Sequence, residues 1–155
     1  MRTRTNLTWV LMISILGLSG NVLGAKPSET TMTLTIGGET TEVLAWSWGA
    51  SNNGISLGGG GAIRANFQNI SVTKFTDALS SKLLLRVATG EISDSAVLQS
   101  GSITITMSQV LVTSISTGRS GRDPSYENIS LDFNEFVFLS DGVEACWNKA
   151  TGTQC

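Results

Sequence analysis

Glu42-Val43-Leu44-Ala45-Trp46-Ser47-Trp48-Gly49 begins a stretch that runs through a small polar segment to Gly58-Gly59-Gly60-Gly61, then Ala62-Ile63-Arg64-Ala65-Asn66-Phe67-Gln68-Asn69-Ile70-Ser71-Val72-Thr73. Leu44, Trp46 and Trp48 alternate with Val43, Ala45 and Ser47. A period of two places the three large residues on one face of a strand. Gly49 to Gly61 is too rich in glycine for a strand or a helix, because each glycine loses much backbone entropy on ordering. Alternation resumes at Ile63. The stretch reads as two strands joined by a long glycine-rich loop, and loops of that length in compact domains are usually functional or mobile.

The same pattern extends outward. Met32, Leu34 and Ile36 alternate with threonines as a half-buried strand, and Gly37-Gly38 marks a tight turn before a strand over Glu39 to Trp48. Ile63 to Thr73 is the next strand. After Phe75 the period changes. Asp77 or Ser80 can cap a helix, Leu79, Leu83, Leu84, Val87 and Ala88 follow at helical spacing, and Gly90 suits the left-handed residue after a last turn. This predicts one amphipathic helix over about 78–89, lying on a sheet. Ile92 to Gln99, Ser102 to Ser116 and Tyr126 to Leu139 read as further strands, the last two joined by a loop over 117–125.

Three strands change phase: between Phe67 and Ile70, between Met107 and Val110, and between Phe133 and Phe136. Such changes indicate bulges or bends, or segments buried on both faces. The expected fold is mainly β: a closed β-barrel or a tight two-sheet sandwich with one flanking helix.

At the start of the chain, Arg2 and Arg4 precede the apolar run Trp9 to Leu18, and small residues lead to Gly24-Ala25. This is the pattern of a secretory signal peptide, and the run is too short to span a bilayer as a stable anchor. Cleavage after Gly24 or Ala25 leaves a single domain over 26–155, exported to the periplasm or the medium. That domain carries eight Lys and Arg against twelve Asp and Glu, a net charge of −4. It has no electrostatic footprint for nucleic acid or anionic lipid. The chain contains no histidine, which excludes Ser-His and Cys-His catalysis and histidine-ligated metals. Cys146 and Cys155, the only two cysteines, are expected to pair in an oxidising compartment, free thiols on a frayed tail being the alternative.

Other features are weaker. Gly58 to Gly61 lacks the Gly-Lys-Ser/Thr opening a helix that a phosphate-binding loop needs. Asp132 and Glu135, three apart on a strand, face opposite sides and do not converge. Asn69-Ile70-Ser71 and Asn128-Ile129-Ser130 match glycosylation sequons but lie in strands. Trp46 and Trp48 suit core or interface packing better than a ligand site. Catalytic residues, cofactors and metal ligands are expected to be absent.

Several motifs together carry a family resemblance: Val43 to Gly49 with the glycine run, Asn69 to Phe75, Val110 to Gly118, Glu127 to Phe133, and Trp147-Asn148. They resemble, in order, the Hcp family of type VI secretion tube proteins. Leu44, Trp46, Trp48, Phe75 and Trp147 are its motif positions here. The resemblance implies a β-barrel with one flanking helix, and subunits that form hexameric rings, stack into a tube and carry effector proteins. The loops holding Gly49, Gly58, Gly59, Gly60, Gly61, Gly118, Arg119 and Arg122 are then the candidate contacts between copies. The signal peptide departs from the family and favours a second reading: an exported Hcp-like interaction module working outside the secretion machine.

Overall fold

The computed structural model describes residues 31–52 and 65–155. The expected signal peptide and Gly58 to Gly61 lie outside the described residues.

The elements run β1 (Met32–Ile36), β2 (Glu39–Val43), β3 (Ala45–Ser47), β4 (Ala50–Asn52), β5 (Ala65–Phe67), β6 (Ile70–Phe75), α1 (Ala78–Thr89), β7 (Ile92–Ser100), β8 (Ile103–Gly118), β9 (Tyr126–Asp132), β10 (Glu135–Ser140) and β11 (Val143–Asn148). Nine strands form one antiparallel sheet in the order β2-β1-β7-β8-β9-β6-β3, with β10 also on β8 and β11 on β10; β4 and β5 form a separate ladder.

The hydrogen-bonded order is open, so the closed barrel is not what forms. The sheet folds over a common core in a sandwich-like arrangement. Its two ends are nevertheless consecutive in the chain. β2 pairs with β1, and β3 pairs with β6. Between them Leu44 turns the run from one ladder to the other, its amide donating to the Thr73 carbonyl at 2.8 Å. The single strand expected over Glu39 to Trp48 is therefore two.

The phase changes have local causes. Gln109 sits at φ 54° between Met107 and Val110. A bulge falls between Val112 and Ser114 where β8 meets β9, placing an extra residue, Thr113, in the strand. Phe133 and Asn134 break the expected strand over Tyr126 to Leu139 into β9 and β10. Gln68 and Asn69 likewise separate β5 from β6.

Helix α1 spans Ala78–Thr89, as its spacing predicts. The Asp77 carboxylate accepts from the Leu79 amide, the Ser80 hydroxyl accepts from the Asp77 amide, and Gly90 closes the far end at φ 68°. Leu79 and Leu83 are buried and Val87 packs against the core. Leu84 and Ala88 point outward instead, since 100° per residue carries position 84 off the stripe set by 79 and 83. The core gathers Leu34, Ile36, Ile70, Val72, Leu98, Ile105, Met107, Ile129 and Leu131 from both layers. β11, absent from the sequence reading, forms a hairpin with β10 across Asp141 and Gly142, both at positive φ. Positive φ at both central residues is the two-residue turn geometry that matches strand twist.

Candidate interaction face and its support

Four strands, in the order β3-β6-β9-β8, share one outward face. Their registers align side chains in rows. Ser47, Ser71, Ser130 and Ser114 form one; Ala45, Thr73, Asn128 and Ser116 form the next; Phe75, Tyr126 and Gly118 form the last. Each of these residues is exposed or half-buried. None is charged. The Thr73 hydroxyl donates to the Asn128 side chain at 2.7 Å. At the bulge, the Asn69 amide group donates to the Thr113 hydroxyl, which donates to the Ser130 carbonyl. Phe75 and Tyr126 are cross-strand partners, 48% and 43% exposed. Tyr126 lies across Gly118, where a Cβ would meet its ring at 3.5 Å.

The helix lies mainly against β8, and the opposite faces of β6 and β9 tie down its first turn. Lys74 and Glu127 are cross-strand partners with fully buried side chains, and Lys74 Nζ lies 2.8 Å from Glu127 Oε1 and 2.8 Å from Asp77 Oδ1. The ammonium also donates to the Phe75 carbonyl, and the Ser80 hydroxyl donates to Glu127 Oε1. Glu127 Oε2 has no protein partner among the described residues. Burial pushes the Asp77 carboxyl up, but hydrogen bonds from Lys74 and Thr41, the Lys74 charge and the Leu79 amide outweigh it and hold the group below its ordinary value. The two capping side chains of the helix start, Asp77 and Ser80, are thereby tied to the sheet that carries the face.

The motif positions scatter. Trp48 sits in an aromatic cluster with Phe67, Phe133, Phe136 and Phe138, and its indole N–H donates to the Gln68 carbonyl at 2.9 Å. Trp147 joins the cluster through Phe67. Trp46 packs on the core, Leu44 marks the bend, and Phe75 lies on the outer face. Gly49 accepts from the Gln68 amide. Arg119 donates from Nε to the Asp123 carbonyl within its own loop, and Arg122 is exposed.

Asp132 and Glu135 do not converge. Asp132 pairs with Lys149, and Glu135 accepts from Asn148 at 2.9 Å, so both have partners beyond solvent. Cys146 and Cys155 form a disulfide with Cα atoms 5.4 Å apart. Glu135 lies beside them, but sulfurs joined to one another offer no thiolate to a metal.

Sequence reasoning missed the buried pair and the rows. Lys74 stands in phase with Ile70 and Val72, and Glu127 with Ile129 and Leu131. A charge in an apolar phase was the available signal for a buried ion pair. The rows need the register, which no single strand carries.

The described residues thus form a mainly-β architecture with one capped helix and rows of uncharged side chains on one outward face. A family model described as "Type VI secretion system effector, Hcp" matches residues 37–138, and the chain belongs to the Hcp family. Among solved structures, Hcp1 from Salmonella typhimurium matches with a TM-score of 0.69 at 19% identity, covering 81% of this chain and 98% of that one. A type VI secretion system effector from Yersinia pestis matches at 0.61 and 17% identity, covering 76% and 98%. Secreted protein Hcp3 from Pseudomonas aeruginosa matches at 0.57 and 12%, covering 76% and 95%. No curated protein matches by sequence. No helix among the described residues is long and apolar enough to cross a membrane.

Proposed function

We propose that the chain is a non-enzymatic tube subunit of the Hcp type, whose copies form hexameric rings that stack and carry effector proteins. The observation that carries this reading is the set of uncharged rows on the outward face of β3, β6, β9 and β8. A ring that transports cargo needs a wall that neither holds nor repels it. Rows of Ser, Thr and Asn satisfy their own hydrogen bonds or water's, and with no charge they exert no long-range force on a passing protein. The loop over 117–125, with Gly118, Arg119 and Arg122, is the described segment best placed for contact between rings. Its exposed arginines would contribute only about 0–1 kcal/mol per ion pair, so strand pairing and apolar burial must supply the affinity.

The disulfide supports a second reading, an exported Hcp-like interaction module, because such bonds persist in oxidising compartments. Light scattering and native mass spectrometry of the oxidised protein across a concentration series separate the two. A ring mass supports the tube subunit. A monomer persisting at high micromolar concentration supports the module.

A further inference from the structure

β11 has a ladder partner on one side only among the described residues, the strand β10. Its outer edge is partly covered by residues 150–155 of the same chain. The Asn148 amide points outward and donates to the Thr153 carbonyl at 2.9 Å, while the Lys149 amide points inward to the Asn134 carbonyl. A period of two therefore turns the backbone groups of Cys146 and Glu144 outward as well. Asn148 and Thr153 form an antiparallel bridge. Two residues back on β11 and two forward on the tail, that register sets Cys146 opposite Cys155. The disulfide joins the pair the bridge already aligns. Residues 150–155 are exposed throughout, so burial does little to hold the tail; the disulfide holds it, together with exposed hydrogen bonds from the Gly152 amide to the Asn148 carbonyl and from the Thr151 amide to Asn148 Oδ1.

We propose that the Cys146–Cys155 disulfide clamps the segment around Thr153 over the outer edge of β11, and that its reduction frees this edge to pair with β11 of a second copy. A dithiol reductant passes two electrons and two protons to the two Sγ atoms through a mixed disulfide, its own thiols closing to a disulfide. The freed edge offers the outward N–H and C=O groups of Glu144, Cys146 and Asn148, a template for strand addition.

A second copy is the occupant the strand itself fits. With Cys146 set against Cys146 of the second copy, antiparallel pairing places Glu144 opposite Asn148 of the second copy, with Lys149 next along. No like charges face each other. Glu144 thus gains a hydrogen-bonding amide and a nearby cation, and the exposed Val143 gains cover. Such a twofold contact closes on itself and stops at two. It does not require ring formation: a monomer would become a dimer, and a ring carrying several freed edges would at least double in mass.

The test compares oxidised protein, protein reduced with a dithiol, and the C146S/C155S variant, by light scattering and hydrogen exchange. Reduction should speed exchange of the Asn148 amide at least about tenfold at low protein concentration. It should also at least double the mass at high concentration, and C146S/C155S should do the same without reductant. Glu144→Lys in that background puts a cation opposite Asn148 and beside Lys149 of the second copy, and should restore the oxidised mass with unchanged circular dichroism. Glu144→Pro, which removes one outward donor, should act likewise. Unchanged mass or unchanged Asn148 exchange on reduction overturns the proposal. So does a doubled mass that survives both Glu144 substitutions.

Discussion

Lys74 and Glu127 face each other at 2.8 Å across β6 and β9, both side chains closed to solvent, beneath the first turn of α1. The pair fixes where the helix sits, because Ser80 and Asp77 of the cap share its hydrogen bonds. Removing one member leaves the other charged and unpaired in the core. Glu127→Ala should cost about 3–5 kcal/mol in urea unfolding, whereas the double substitution K74M/E127L should come within about 1 kcal/mol of the wild type or exceed it. A double variant as unstable as the single one would show that the polar network itself holds the helix.

Asp77 gives the cap a pH dependence. Its folded-state pKa lies below the ordinary 3.8. A depressed carboxyl contributes stability above its unfolded value, and that contribution disappears as pH falls through the folded value. Asp77→Asn keeps a capping oxygen but loses the charge beside Lys74. The variant should be less stable than wild type above about pH 4, by less than about 1 kcal/mol because the group is partly exposed. The gap should shrink in acid. Thermal unfolding at stepped pH values measures it, and a gap constant from pH 6 into strong acid would contradict the assignment.

Gly37 and Gly38 make the β1–β2 turn, both at positive φ. Alanine at either position adopts a strained backbone, at a cost of about 1 kcal/mol. Only Gly37 also meets a side chain. A Cβ there would overlap the Arg86 guanidinium, whereas Gly38 faces open space. Gly37→Ala should therefore lower the melting temperature more than Gly38→Ala, because Arg86 must leave its hydrogen bond to Ser93. Equal losses would mean that Arg86 relaxes freely.

Phe136 is the centre of the aromatic cluster, 4.8 Å from the Trp48 ring and 5.0 Å from Phe67. Phe136→Ala should cost about 3–5 kcal/mol, and Phe136→Leu markedly less. Because Trp48 touches the same ring, its fluorescence should shift in the alanine variant before global unfolding. An unchanged spectrum would argue that the cavity collapses without moving the indole.

What the sequence disclosed follows from local signals. Alternation located most of the strands, because a half-buried strand repeats every two residues. The helix is legible over about 78–89 from Asp77 or Ser80 at its start and Gly90 at its end, because capping is local; the structure selects Asp77 as the cap. Cys146 and Cys155 paired because parity allows one partner. Long-range relations stayed hidden. Leu44 reads as one more strand residue, and only the Thr73 carbonyl on another strand shows that it is a bend. β11 escaped notice because Cys146, Trp147 and Asn148 carry little alternation, and pairing with β10 is what makes them a strand. The neutral rows needed three registers at once. Leu84 was misplaced because a stripe of five apolar positions is wider than the surface that receives it.

The bend at Leu44 also constrains how the chain can fold. The ladders β1–β2 and β3–β6 lie at opposite ends of the strand order, yet they are one residue apart in sequence. The β1–β2 end closes as a local hairpin across Gly37 and Gly38, but that hairpin does not bring β3 any closer to its own partner. β3 must wait for β6, which lies beyond the glycine-rich stretch of sequence, and β1 must wait for β7, which lies beyond the helix. Both closures span long stretches of chain, the condition that slows folding by raising the entropy cost of the rate-limiting contacts.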